Sequence, residues 1–209
     1  MTFLTNILAD IDWRVSELAT LTTLPYRYKI SDKHVESLLT YSVPAIYAIW
    51  EGYVRHCFIE YSTYLNSLSL SLIDVHENIL THAMTIEKAV ALENPRTNFD
   101  SKKKYVTTIL SKHQAKLNIP YEIPTKSNVN FAVINDILTR YNLEKLNQTY
   151  QSKLDKLLRF RNEFAHGERS IPVTKKDIEY FSNLVQDLMV EVFVRIEDGV
   201  NNHTYLKKH

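Results

Sequence analysis

Leu154–Gly167 reads LDKLLRFRNEFAHG, one helical run that ends on a glycine. A glycine just past a periodic run is a helix stop, and Gly167 is one of only 3 in the chain. At about 100° per residue, Leu154, Leu157, Leu158, Phe164 and Ala165 share one arc of a helical wheel. Lys156, Arg159 and Glu163 lie outside it, as a core-facing helix requires. Only 3 glycines and 6 prolines are found in 209 residues, too few for a turn-rich β fold. These features together predict an all-α helical bundle of about six to seven helices.

One residue breaks the binary pattern. Arg161 falls near the middle of the apolar arc, and a buried guanidinium without a partner costs several kcal/mol. Asn162 and His166, four apart, stack on one face at the margin of the stripe. Arg161 and His166 are five apart, about 140° around the axis, so they meet only across a cleft shared with a neighbouring helix or subunit. A fixed cation, an amide and an imidazole suit a phosphate, since arginine binds it bidentately and histidine exchanges protons near neutral pH. The same residues also fit a carboxylate-paired arginine and a histidine closing a helix C-terminus against its dipole. Spacing leaves both readings open.

Moving outward, residues 3–21 carry a helical apolar pattern that Leu24-Pro25 is expected to end. Tyr26-Arg27-Tyr28-Lys29 follows as a basic-aromatic linker. Ser31-Asp32 is placed to cap a long helix from about Lys33 to Leu68, in which Pro44 marks a kink or a second start. Its stripe includes Val43, Ile46, Tyr47, Trp50, Tyr53, Val54, Cys57, Phe58 and Tyr61, the strongest core element of the chain. Glu51 sits on the stripe's edge beside Gly52, placed to pair with Arg55 one turn on or to face Arg161 from across a helix interface. Helices are expected over 69–93, about 100–117, 131–141 and 174–196, with a proline-bearing loop at 118–130. The tail, 198–209, is expected to fray.

Function classes narrow by exclusion. A net charge of +1 offers no bulk basic excess, so nucleic-acid contact requires a local patch, for which Lys102, Lys103 and Lys104 are candidates. The single cysteine, Cys57, allows no disulfide framework. His76 and His82 are six apart where a helical zinc pair needs four, and no other ligand spacing suggests a metal or cofactor. No apolar run approaches a membrane span and the N-terminus lacks a basic leader, so a cytoplasmic, single-domain protein is expected over 1–209, with its core at about 31–196.

Three stretches carry a family resemblance. Arg161-Asn162-Glu163-Phe164-Ala165-His166 resembles the R-x4-6-H motif of the HEPN superfamily, with the usual polar residue after the arginine. YAIWEGYV, around Glu51, and SNVNFAVINDIL, ahead of the motif helix, are similar to the matching segments of stand-alone bacterial HEPN ribonucleases. The resemblance implies a metal-independent endoribonuclease that cuts RNA through its own 2′-hydroxyl, leaving a 2′,3′-cyclic phosphate and a 5′-hydroxyl. It assigns acid-base work to His166, phosphate holding to Arg161, orientation of His166 or a bond to a phosphate oxygen to Asn162, and support of Arg161 to Glu51. It further implies a homodimer with a composite cleft, and a toxin or phage-defence role under an antitoxin or other regulatory protein. No tyrosine follows His166 closely, only Gly167-Glu168-Arg169, which argues against control by tyrosine modification there. The alternative within the same resemblance is a non-catalytic module that binds nucleotides or proteins.

Overall fold

In a computed structural model, residues 2–85, 99–112, 115–126, 128–165 and 171–207 are described. They hold seven helices in the order α1 (Thr2–Arg27), α2 (Asp32–Ser67), α3 (Glu77–Thr85), α4 (Phe99–Lys112), α5 (Phe131–Arg140), α6 (Thr149–Ala165) and α7 (Lys175–Asn201). Among the described residues extended pairing is confined to two isolated bridges, Ser71 with Lys116 and Val75 with Leu206. The fold is all-α, as expected. No helix among these residues is long and apolar enough to cross a membrane.

The axis is α2. Its 36 residues extend about 54 Å at 1.5 Å per residue. Pro44 lies inside it and removes one main-chain hydrogen bond, yet the helix neither stops nor restarts. Val43, Ile46, Trp50, Tyr53, Val54, Cys57, Phe58 and Tyr61 are all buried, and this stripe holds the axis through the proline. Helices α1 and α7 pack on α2 most extensively, with α6 on another flank. Helix α2 is thus the shared partner of α1, α6 and α7. The Tyr53 hydroxyl donates to the Met189 carbonyl at 2.8 Å, tying α2 to α7.

Gly52 leaves room on α2 for a side chain from α1. A Cβ there would lie 2.9 Å from Nη1 of Arg14 on α1. Arg14 is buried between the helices; its Nε donates to Asp10 Oδ2 at 2.7 Å and its Nη1 to the Ile49 carbonyl at 2.9 Å.

Several boundaries differ from the sequence expectations. Helix α1 runs through Pro25, which removes one main-chain donor two residues before the helix ends at Arg27. Tyr26 and Arg27 therefore belong to a helix end and not a linker. Ser31 occupies the N-cap of α2 without a side-chain cap bond. Of the helix expected over 69–93, residues 69–76 are turns and the two bridge residues Ser71 and Val75, with Ser69 at φ 52°, and helix begins at Glu77; 86–93 lie outside the described residues. A capping box opens α7, where Thr174 and Asp177 bond reciprocally.

The expectation of a frayed tail fails. Helix α7 continues to Asn201, and the chain then folds back on the 74–76 segment. His76 N–H donates to the Tyr205 carbonyl at 2.8 Å and Lys207 N–H to the Asp74 carbonyl at 2.9 Å. Tyr205 is buried and meets Tyr64 edge-on. The tail's polar residues face outward, while Val200 and Tyr205 supply the anchorage.

Candidate active site

The motif helix α6 exists because Leu154, Leu157, Leu158 and Phe160 find cover. Phe160 packs edge-on to Phe181 of α7, while the wheel arc faces α2. Phe160, absent from that arc, is buried because α6 lies between two helices. Helices α2 and α6 run antiparallel: Arg161 meets Tyr47, whereas Phe164, further along α6, lines a cleft with Ser37 and Tyr41, further back on α2.

Arg161 is half-buried rather than buried. Its Cζ sits 4.7 Å from the centroid of the Tyr47 ring, a cation–π contact. Its Nη1 donates to Asn162 Oδ1 at 2.9 Å. The asparagine therefore steadies the arginine, leaving other N–H donors of the fork free of any bond to a described residue. His166 lies outside the described residues, one position past the last residue of α6, as does Gly167.

Tyr47 is the residue that pattern reading missed. It was read as core stripe, and its ring does fill that stripe. Its hydroxyl accepts from Val129 N–H at 2.7 Å, which with the Trp50 Nε1 bond to the Val129 carbonyl at 3.0 Å fixes the 118–130 loop on α2. Burial pushes the Tyr47 hydroxyl up to about 12 and the nearby Glu51 carboxylate pushes the same way, outweighing the Val129 amide and Arg161. The hydroxyl is neutral at any physiological pH. The available sequence signal was its place one turn before Glu51.

Glu51 is half-buried on the same face of α2. Among the described residues it forms an ion pair with neither Arg161 nor Arg55; it acts on Tyr47, which lies against the guanidinium. Glu51 and Arg161 thus share a neighbour in Tyr47 without meeting in an ion pair. Lys102 and Lys103 are exposed on α4, a helix that does not pack extensively on α2 or α6, so they are not gathered to Arg161. The side chain of Lys104 lies outside the described set.

The histidines read in sequence against zinc have other surroundings. His82 is buried with its ring edge-on to Tyr141 at 5.1 Å, and among the described residues neither ring nitrogen has a hydrogen-bond partner. Burial first, then Arg140, lowers it to about 4. His76 Nδ1 accepts from Asn78 N–H at 3.2 Å. Among the described residues no three His, Cys, Asp or Glu side chains form a metal-holding group.

No curated protein and no solved structure matches the chain. One family model does, that of the HEPN_MAE_28990-like HEPN family, over residues 3–205.

Proposed function

Since the chain belongs to the HEPN_MAE_28990-like HEPN family, we propose that it is a metal-independent endoribonuclease, with Arg161, Asn162 and His166 as its working residues. The observation that carries this reading is the state of Arg161. It is held on the Tyr47 ring and by Asn162, half-exposed, with spare donors and no carboxylate among the described residues to neutralise it. A structural arginine in a core would be paired; an anion-binding one is kept open.

The chemistry uses the RNA's own nucleophile. The 2′-oxygen bonds to the adjacent phosphorus, the bond from phosphorus to the 5′-oxygen breaks, and a 2′,3′-cyclic phosphate remains. The 2′-hydroxyl proton goes to a base, and the departing 5′-oxygen takes a proton from an acid. Arg161 holds the non-bridging oxygens as charge grows on them. His166 does the proton work, a role typically worth about 10²–10⁴-fold. One imidazole cannot hold both protonation states at once, so a two-fold dimer that joins two copies of this surface supplies the second. Inside a cell such an activity needs restraint, which fits a toxin or phage-defence effector with a neutralising or regulatory partner.

The test is cleavage of labelled RNA in excess chelator, with His166→Ala alongside and product ends identified. Cutting by wild type alone, with cyclic phosphate ends, is the expected result. A folded protein that binds RNA or nucleotides equally well with and without His166, and cuts none, would establish the binding module instead.

A further inference from the structure

Lys33, Ser37, Thr40, Tyr47, Glu51 and Arg55 recur at three-, four- and seven-residue steps and so form one line along α2. Arg161 rests at the middle of that line, on Tyr47. A cleft opens at each end. The first, about 180 Å³, is lined by Lys33, Glu36, Tyr41 and Phe164, and Tyr41 is 63% exposed. The second, about 590 Å³, lies between Arg55 and the 121–126 segment; it includes Tyr121, Glu122 and Lys126, and Tyr121 is 55% exposed.

Each cleft therefore offers an aromatic ring that water covers at some cost, at least one cation and one carboxylate. A free phosphate is disfavoured beside Glu36 or Glu122. A nucleobase suits both, since its face stacks on the ring and its amino edge can donate to a carboxylate. Tyr41 and Arg55 are fourteen positions apart, about 21 Å along the helix and the reach of a few extended nucleotides. Val129, clamped by Tyr47 and Trp50, anchors the loop that bears Tyr121 and so fixes the second cleft relative to Arg161.

We propose that single-stranded RNA lies along this face of α2, with the scissile phosphate at Arg161 and flanking bases stacked on Tyr41 on one side and Tyr121 on the other. The assignment rests on the nuclease reading and adds to it a substrate class: unpaired RNA of several nucleotides, because a duplex would keep its base faces stacked within itself. Arg55 and Lys126 then meet the backbone beyond Tyr121, a role Lys102 and Lys103 on α4 are not placed to fill.

The test is kcat/KM in chelator for unstructured oligoribonucleotides from two to about eight nucleotides, with wild type, Tyr41→Ala, Tyr121→Ala and the double variant. Wild type should gain rate with length. Each single variant should lose about tenfold of that gain and the double variant about a hundredfold. In parallel, anisotropy with an uncleavable 2′-O-methyl oligonucleotide should show Arg55→Ala and Lys126→Ala each lowering the salt slope by about 1. Cleavage whose length dependence survives in the double variant would overturn the track and leave the nuclease standing. Conversely, a wild type that cuts no RNA but binds the 2′-O-methyl strand through both tyrosines would sink the nuclease reading and keep the track. Loss of dimer mass in the tyrosine variants, with RNA binding unchanged, would also overturn it by making this face a subunit contact. Both side chains are exposed, so the variants should melt like wild type.

Discussion

Two arginines meet α2, and the helix treats them differently. Arg14 arrives from α1 at Gly52, is 8% exposed, and bonds to Asp10 and to the Ile49 carbonyl. Arg161 arrives from α6 at Tyr47, half-exposed, with an aromatic face under it and a bond to its own neighbour Asn162. A guanidinium drawn fully out of water is tolerable only when opposite charge and acceptors meet it. One left at the edge, on a ring, keeps its charge available to a ligand. The same side chain, set against the same helix, is thus closed into the packing at one position and left open to solvent at the other.

The largest expected effects separate the two. Arg161→Ala should cut turnover of RNA by about 10²–10³-fold, while thermal or urea unfolding moves by less than about 1 kcal/mol. Arg161→Lys should rescue little, since a point charge does not replace the fork. Arg14→Ala should do the reverse. It strands Asp10 in the α1–α2 interface and should cost about 3–5 kcal/mol, with specific activity of the folded fraction retained. If Arg161→Ala unfolds as readily as Arg14→Ala, the contrast collapses and Arg161 is a structural residue.

This contrast bears on what a sequence can say. The apolar stripe of α2 and the core face of α6 were legible because periodicity is a local property, and so was the capping box at Thr174. Arg161 was legible as a break in that periodicity. Arg14 lies on the buried arc of α1 too, seven positions after Ile7 and four before Leu18, but only the missing side chain at Gly52, a tertiary fact, gives it a place. Tyr47 hid for the opposite reason, since its ring satisfies the pattern and nothing in spacing announces that a cation lies on its face. The folded tail was missed because polarity was weighed over the two apolar anchors, Val200 and Tyr205, that pin it. In each case the information was held in a contact between distant segments.

His82 extends the comparison to a third outcome. It is buried beside Tyr141, without a hydrogen-bond partner among the described residues, and has Arg140 and Asp136 as charged neighbours. With no acceptor to stabilise a cation, the imidazole stays neutral instead. Its folded value of about 4 lies below the ordinary 6.5, so the unfolded chain binds the proton more readily. The stability it contributes is complete above about pH 6.5 and is lost as pH falls toward 4, by about 2 kcal/mol at pH 4.5. Urea midpoints for wild type and His82→Phe should therefore shift relative to one another by that amount, in favour of the variant, between pH 7 and 4.5. A constant difference across that range would mean that His82 finds a partner when charged.

The smallest expected effect dissects the seat of Arg161. Tyr47→Phe keeps the ring under the guanidinium but leaves the Val129 N–H without its acceptor. The Trp50 bond to the Val129 carbonyl remains and limits how far the loop can move. The loss should be about 1–2 kcal/mol in stability and no more than a few-fold in activity. Tyr47→Leu removes the ring as well, and with it the surface that holds Arg161 toward a ligand, so its activity should fall clearly below that of Tyr47→Phe. Equal activities for the two variants would show that Asn162 alone positions the arginine, and the aromatic seat would then be core packing only.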